Sequence, residues 1–315
     1  MTVVLEAFAA QNIFLWMPVL SSAVAYAISQ VGPEAARARW LRRVADGRAF
    51  LAMAATEPAV GHNLFRSATE VRRERDSFVV RGLKRVTSGL DAAERVLVFG
   101  RVPKTDSGDT TVLVDPRAPG ARMTELPMCG REGVRQFQLE LDDVEVPVGE
   151  LVGTEGGGLL TMWPFTHVER VLTASLCLGT TTYAVSRSVR HAQERIISGQ
   201  LPIGAEQAIA HPLAGIHSRL QAIRLFVYRT AARFDAGVDG IQVAGEANMA
   251  KLLTAELAFD ATDQALQVLG AEAWDEREGW LDSYLDARLA RSGPVSNEFA
   301  LNYIAKHVLG LPAHK

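Results

Sequence analysis

Hydrophobic and polar positions divide the chain into three textures. Residues 5–46 follow a helical pattern, ending in Glu34 to Arg43, where Trp40 and Leu41 interrupt a polar, Arg-rich face and Gly47 marks a helix stop. Residues 50–150 change to short apolar runs: Phe78-Val79-Val80, Val96 to Phe99, and Val112 to Val114. Phe137, Leu139 and Leu141 alternate with Gln138 and Glu140, the period of a half-buried antiparallel strand. Asp106-Ser107-Gly108-Asp109 and Pro116 to Gly120 supply turns between the runs. From Leu159 the helical period returns. Leu213, Ile216, Leu220, Ile223, Val227 and Phe234 form one core-facing stripe, with Arg219, Arg224 and Arg229 elsewhere on that helix. Val243 to Leu269 is apolar on more than one face, as expected inside a bundle or at a subunit interface.

These textures predict an α+β fold in three parts. They are an N-terminal helical segment over residues 1–50, a middle antiparallel β-barrel or sandwich over 51–152, and a C-terminal four-helix bundle over 153–315. Gly156-Gly157-Gly158 reads as a hinge between the last two. No charge occurs between Glu6 and Glu34, a length that would suit a membrane span. Gln11, Asn12, Ser21, Ser22, Ser29, Gln30 and Pro18 interrupt that stretch, and no basic residue precedes it, so it is expected to be a buried helix pair.

Composition narrows the function classes. The net charge of −3 offers no basic excess for nucleic acid. Cys129 and Cys177 lie too far apart for a CxxC zinc site and are too few for a disulfide framework, which fits a reduced, cytoplasmic protein. The Walker loop, GxGxxG, HExxH and GxSxG motifs are missing, and His211 and His217 do not share a helix face, so no metal site is expected.

More specific are several short strings in a fixed order. They run from Gly32-Pro33-Glu34 and Trp40-Leu41 through Ala55-Thr56-Glu57-Pro58-Ala59-Val60-Gly61 to Lys84-Arg85-Val86-Thr87-Ser88-Gly89. Leu141 to Pro147, Glu194-Arg195 with Ser198-Gly199 and Gln207, and Gln267 to Gly270 follow. Asp286-Ala287-Arg288 and Ser296-Asn297-Glu298 complete the series. In this order the strings resemble the acyl-CoA dehydrogenase family of flavoproteins, from about residue 20 to the C-terminus.

The resemblance implies FAD as cofactor, an acyl-CoA thioester as substrate and a 2-enoyl-CoA as product. It also implies an electron-transfer flavoprotein as partner and a homodimer or tetramer. A carboxylate removes the α-proton, and the β-hydrogen leaves as hydride to the flavin. Ala55 and Thr56 match the loop that contacts the flavin ring, and Thr87 and Ser88 match the second flavin strand. The family usually has Ser-Asp after the first loop, where this chain has His62-Asn63. It usually has an aromatic residue two positions before the threonine, where this chain has Arg85. Arg195 matches the arginine that reaches the FAD pyrophosphate of a neighbouring subunit, and Gln267 and Gly270 match the other end of the dinucleotide. Ser198 and Ala271 replace a phenylalanine and a second glycine there. Gln207 and Ser296 are also expected to touch the cofactor.

Most members of the family carry their base near the C-terminus, and that position is Pro294 here. A second branch, that of the isovaleryl-CoA and long-chain enzymes, places the base directly before an arginine on another helix. Glu169, followed by the substrate-side Arg170, matches that place. Glu169 shares a helix face with Phe165, Leu172 and Leu176, and burial there favours a raised pKa suited to a base; the alternative is a structural contact with Arg170 or Arg190.

The family has further helices ahead of the point matched by the start of this sequence. A late start, a wall supplied by a partner chain, or a pocket open to bulky thioesters each accounts for that. Two rival functions remain: a non-catalytic subunit completing a heteromer with a homologous chain, and a flavin-dependent monooxygenase on the same fold.

Overall fold

The computed structural model describes every residue except 62, 103–107, 131–133, 239 and 313–315, and the side chain of residue 241. His62 and the Asp106-Ser107 part of the expected turn lie outside the described residues. The chain forms two compact units. One comprises Trp16–Met128 and Glu132–Glu169; the other comprises Met1–Leu15, Cys129–Arg131 and Arg170–Lys315.

The second of these begins with α1 (Thr2–Ala9), and the first opens with α2 (Trp16–Val31) and α3 (Glu34–Ala45). Pro18 falls in the first turn of α2, where its missing N–H removes no helical bond. Val19, Leu20, Ala23, Val24, Ala27 and Ile28 recur at helical spacing and are buried. Ser21 Oγ accepts the Leu51 N–H at 3.1 Å, which ties α2 to β1 (Leu51–Ala54). On α3, Trp40 donates its indole N–H to the buried Glu150 at 2.9 Å, and Arg39 donates to the same carboxylate at 2.6 Å.

Seven further strands complete one eight-stranded sheet: β2 (Glu70–Glu74), β3 (Ser77–Ser88), β4 (Arg95–Arg101), β5 (Asp109–Val114), β6 (Ala121–Leu126), β7 (Gln136–Pro147) and β8 (Leu151–Val152). Their order is β6-β7-β3-β2-β4-β5-β8, with β1 paired to β4. Most pairs are antiparallel, as the alternation predicts. β1 and β4 run parallel, and β2 meets β4 in one parallel bridge. Neither pair is joined by a hairpin, so nothing forces antiparallel pairing on it.

The expected hinge at Gly156-Gly157-Gly158 is instead a close-packed joint. Asp109 and Gly157 form a β-bridge, and Gly156 donates its N–H to Thr110 Oγ1 at 3.1 Å. A Cβ on Gly158 would lie 2.8 Å from the Asp109 carbonyl carbon. Gly158 is needed for this backbone approach, while Gly156 serves the chain through its φ of +82°.

The other unit is helical: α1, most of α4 (Gly158–Glu194), α5 (Gln207–Asp235), α6 (Gly240–Leu269), α7 (Trp280–Ala290) and α8 (Asn297–Tyr303). Its core joins Ala174, Leu178 and Val185 of α4 to Ile216, Leu220 and Val227 of α5 and Ala250, Leu257 and Ala261 of α6. The stripe on α5 and one apolar face of α6 thus pack into one bundle, while Leu253 of α6 stays 40% exposed. Among the described residues, no helix is long and apolar enough to cross a membrane.

Candidate functional site

Ala55 and Thr56 leave β1 half-buried. The Thr56 carbonyl accepts the Arg85 backbone N–H at 2.9 Å, and Lys84 Nζ donates to the Ala55 carbonyl at 3.3 Å. The two loop segments named from sequence are thereby joined. Lys84 pairs with Leu139 of β7 and Thr87 with Phe137, so β3 carries one extra residue, a β-bulge at Arg85-Val86. Val86 adopts φ +57°, a rare conformation for a β-branched residue. The bulge leaves Arg85 and Val86 exposed and Thr87 and Ser88 buried.

The two buried hydroxyls differ. Ser88 Oγ donates to Gln136 Oε1 at 2.9 Å and accepts the Trp16 indole N–H at 3.3 Å. Thr87 is 1% exposed, and its Oγ1 is buried without a hydrogen-bond partner among the described residues. A buried hydroxyl left unpaired costs about 1–3 kcal/mol, so it marks a place where a ligand atom would find a partner. These residues fit a heteroaromatic ring system that brings its own nitrogen and carbonyl atoms to the loop.

Behind this loop lies a buried ion pair. Lys84, 0% exposed, places Nζ 2.7 Å from Oε1 of Glu57, which is 4% exposed. The Glu57 carboxylate also accepts Ser67 Oγ at 2.5 Å, the Ala68 N–H at 2.7 Å and the Thr69 N–H at 3.1 Å. Burial pushes the Glu57 carboxyl up, but the Lys84 ammonium, the Ser67 hydroxyl and the Ala68 amide outweigh it and hold the group at about 2. Burial lowers the Lys84 ammonium, against the pull of Glu57 and Asp109. Sequence reasoning misses this pair, yet a signal exists. Phe78, Val80, Gly82 and Lys84 occupy alternate positions of β3 opposite apolar residues of β7, so the strand period places a lysine on the inward face.

Glu169 lies in the first part of α4, in the same unit as these strands, and is 8% exposed. Phe165, Leu172 and Leu176 on the same helix face are also buried. Arg170 is half-buried and exerts its charge on Tyr303, whose hydroxyl is pushed up by burial. Ser296 caps α8 by accepting the Phe299 N–H at 3.4 Å. Next to it in the chain, Val295 offers its carbonyl to the buried Lys251 at 2.5 Å, and Lys251 also donates to Asn297 Oδ1 at 2.8 Å.

Arg195, Gln207, Gln267 and Gly270 flank one small core of the helical unit. Ala192 of α4, Leu213 of α5 and Val268 of α6 form that core, and His191 Nδ1 lies 3.4 Å from Glu272 Oε2 beside it. All four named residues are exposed, and Gly270, at φ +61°, has open space where a side chain would be. Exposed amides and a guanidinium around an open backbone suit the phosphates and base of a dinucleotide.

Comparison with known proteins decides the family. The acyl-CoA dehydrogenase middle domain matches residues 52–144, and the acyl-CoA dehydrogenase C-terminal domain matches residues 156–309. Acyl-CoA dehydrogenase FadE12 of Mycobacterium tuberculosis is 35% identical over 316 aligned residues, covering 99% of this chain and 81% of that protein. The chain belongs to the acyl-CoA dehydrogenase family. The butyryl-CoA dehydrogenase of Megasphaera elsdenii shares the fold of this acyl-CoA dehydrogenase family member with a TM-score of 0.91, at 23% identity over 98% of this chain and 81% of that one. The FAD complex of PigA does so at 0.90, with 20% identity over 98% of this chain and 82% of that one.

Proposed function

We propose that this chain is an FAD-dependent acyl-CoA dehydrogenase with Glu169 as its base. The observation that carries the reading is the buried carboxylate of Glu169 in a family member whose usual base position is Pro294. Thr56 and Thr87 offer hydroxyls to the flavin ring, and Ala55 and Ser88 shape the backbone around it. Arg195, Gln267, Gly270 and Gln207 take the dinucleotide end, which the family assigns to a neighbouring subunit. Ser296 stands at the head of α8 as a further cofactor contact.

When bound, FAD supplies the hydride acceptor that no side chain can be. Glu169 takes the α-proton of the thioester at its carboxylate, while the β-hydrogen leaves with its electron pair and a Cα=Cβ double bond forms. Arg170, next in the helix, holds the acyl-CoA. Burial of Glu169, 8% exposed, limits the water that competes for its carboxylate. An electron-transfer flavoprotein collects the electrons, and the dimer is the smallest unit in which Arg195 reaches a neighbour's cofactor.

Replacing Glu169 with Gln tests this directly. The variant should keep its bound FAD spectrum, while bleaching by a panel of acyl-CoA thioesters slows by about 10²–10⁴-fold. Unchanged bleaching removes Glu169 from the mechanism. Pro294 also favours a second reading, a subunit that works only with a homologous chain. Protein that is purified colourless and turns over only after such a chain is added would support it.

A further inference from the structure

Burying an ion pair is an inefficient way to stabilise a strand domain. Well-packed apolar residues of similar volume often do as well or better, because desolvating two charges offsets most of their attraction. Lys84 nevertheless brings its ion pair with Glu57 to the buried face of β3, directly before the bulge that leads to Thr87. What the pair holds is backbone. Lys84 Nζ fixes the Ala55 carbonyl at 3.3 Å, and the Arg85 N–H fixes the Thr56 carbonyl at 2.9 Å. Glu57 closes the next turn through its own backbone, with its N–H to the Gly61 carbonyl at 3.0 Å and the Gly61 N–H returned at 2.9 Å. Its carboxylate is saturated by donors from Ser67, Ala68, Thr69 and Lys84. Segment 55–57 is thus pinned at each peptide, next to the strand that carries the unpaired Thr87 hydroxyl.

We propose that Lys84 and Glu57 are a positioning pair for flavin, resting on the reading that this chain binds FAD. The ammonium draws the Ala55 carbonyl inward, and the carboxylate anchors the turn that follows. Together they fix Thr56 in register with Thr87 on the neighbouring strand. Neither charged group touches the cofactor. A simple scaffold pair would protect the fold and leave flavin affinity alone.

The test compares holoprotein variants by the FAD released on dilution, read as flavin fluorescence, and by thermal unfolding of each flavin-free protein. The variants are Lys84→Met, the near-isosteric Glu57→Gln and the milder Ser67→Ala. Glu150→Gln is the control, because Glu150 is a similarly buried carboxylate in the same unit, bound to Arg39 and Trp40 and not to segment 55–57. Lys84→Met and Glu57→Gln should weaken FAD binding by at least about tenfold, with a blurred visible band, and Ser67→Ala by less. Glu150→Gln should lower the unfolding temperature yet leave FAD affinity within about twofold. Equal loss of FAD in the control, or wild-type affinity in Glu57→Gln, overturns the positioning role. Wild-type protein that takes up no FAD overturns the flavin reading and this inference with it, whereas tight binding in the wild type and in every variant overturns the inference alone.

Discussion

Glu6 and Arg224 lie 218 positions apart and meet at 2.7 Å, where the Arg224 Nε–H donates to Glu6 Oε1. Tyr228 donates its hydroxyl to the other carboxylate oxygen at 2.6 Å, and Arg224 also donates to Thr182 at 2.9 Å. This cluster docks α1 on the helical unit. Burial, together with the bond to Glu6, pushes the Tyr228 hydroxyl up to about 12. Its contribution is complete below the ordinary value of 10.0 and is lost as pH rises towards 12, because the unfolded chain releases that proton first. Stability should therefore fall above about pH 10 in the wild type and fall less in Tyr228→Phe. Parallel curves for the two proteins would remove Tyr228 from the alkaline response. Glu6→Gln should cost about 2 kcal/mol in urea unfolding.

Gly179 on α4 lets α1 approach. A Cβ there would lie 2.4 Å from both the Glu6 carbonyl oxygen and the Ala9 Cβ. Gly179→Ala should cost about 1–3 kcal/mol and open the N-terminal helix to proteolysis. An unchanged cleavage pattern would show that α1 does not rely on this approach.

Acid should act through Glu57. Its carboxyl is held at about 2 in the folded chain against an ordinary value of 4.5, so its contribution is present above 4.5 and lost as pH falls towards 2. Thermal unfolding should show a loss across that window that Glu57→Gln reduces. A variant as acid-sensitive as the wild type would point to other carboxylates.

Thr87 should separate stability from cofactor binding. Thr87→Val removes an unpaired buried hydroxyl and should leave the flavin-free protein equal in stability or firmer by about 1 kcal/mol. FAD affinity should fall by about tenfold at the same time. If affinity holds, the hydroxyl is not a flavin contact.

Val86 carries backbone strain at an exposed site. Asn accepts φ +57° far more readily than a β-branched side chain does. Val86→Asn should therefore raise stability by about 1 kcal/mol. A calorimetric melting temperature at or below that of the wild type would argue against stored strain.

Much of the fold is legible in the sequence because burial enforces period. The alternation at Phe137, Leu139 and Leu141 corresponds to inward residues of β7, and the α5 stripe from Leu213 to Val227 packs into the bundle. Pairing direction is less legible, since β1 joins β4 in parallel and no local pattern records a partner that distant. The triple glycine reads as a hinge because composition does not separate freedom from close approach. At the candidate site, motif order names Thr56 and Thr87, and the Arg85 amide joins their two segments. The ion pair behind them is only half legible, since the period of β3 turns Lys84 inward but no local pattern names Glu57, in the turn after β1, as its partner at 2.7 Å.

Lys84, Lys104, Lys251, Lys306 and Lys315 are the only lysines in the chain. Lys84 and Lys251 are sealed in separate cores, and Lys306 is exposed, while the other two lie outside the described residues. Thioesters acylate free amines slowly, so an enzyme bathed in acyl-CoA risks modification by its own substrate. Drawing its surface cations almost wholly from arginine leaves this chain few amines to attack. Amine-reactive labels at Lys84 and Lys251 would therefore report, unit by unit, how often each core opens.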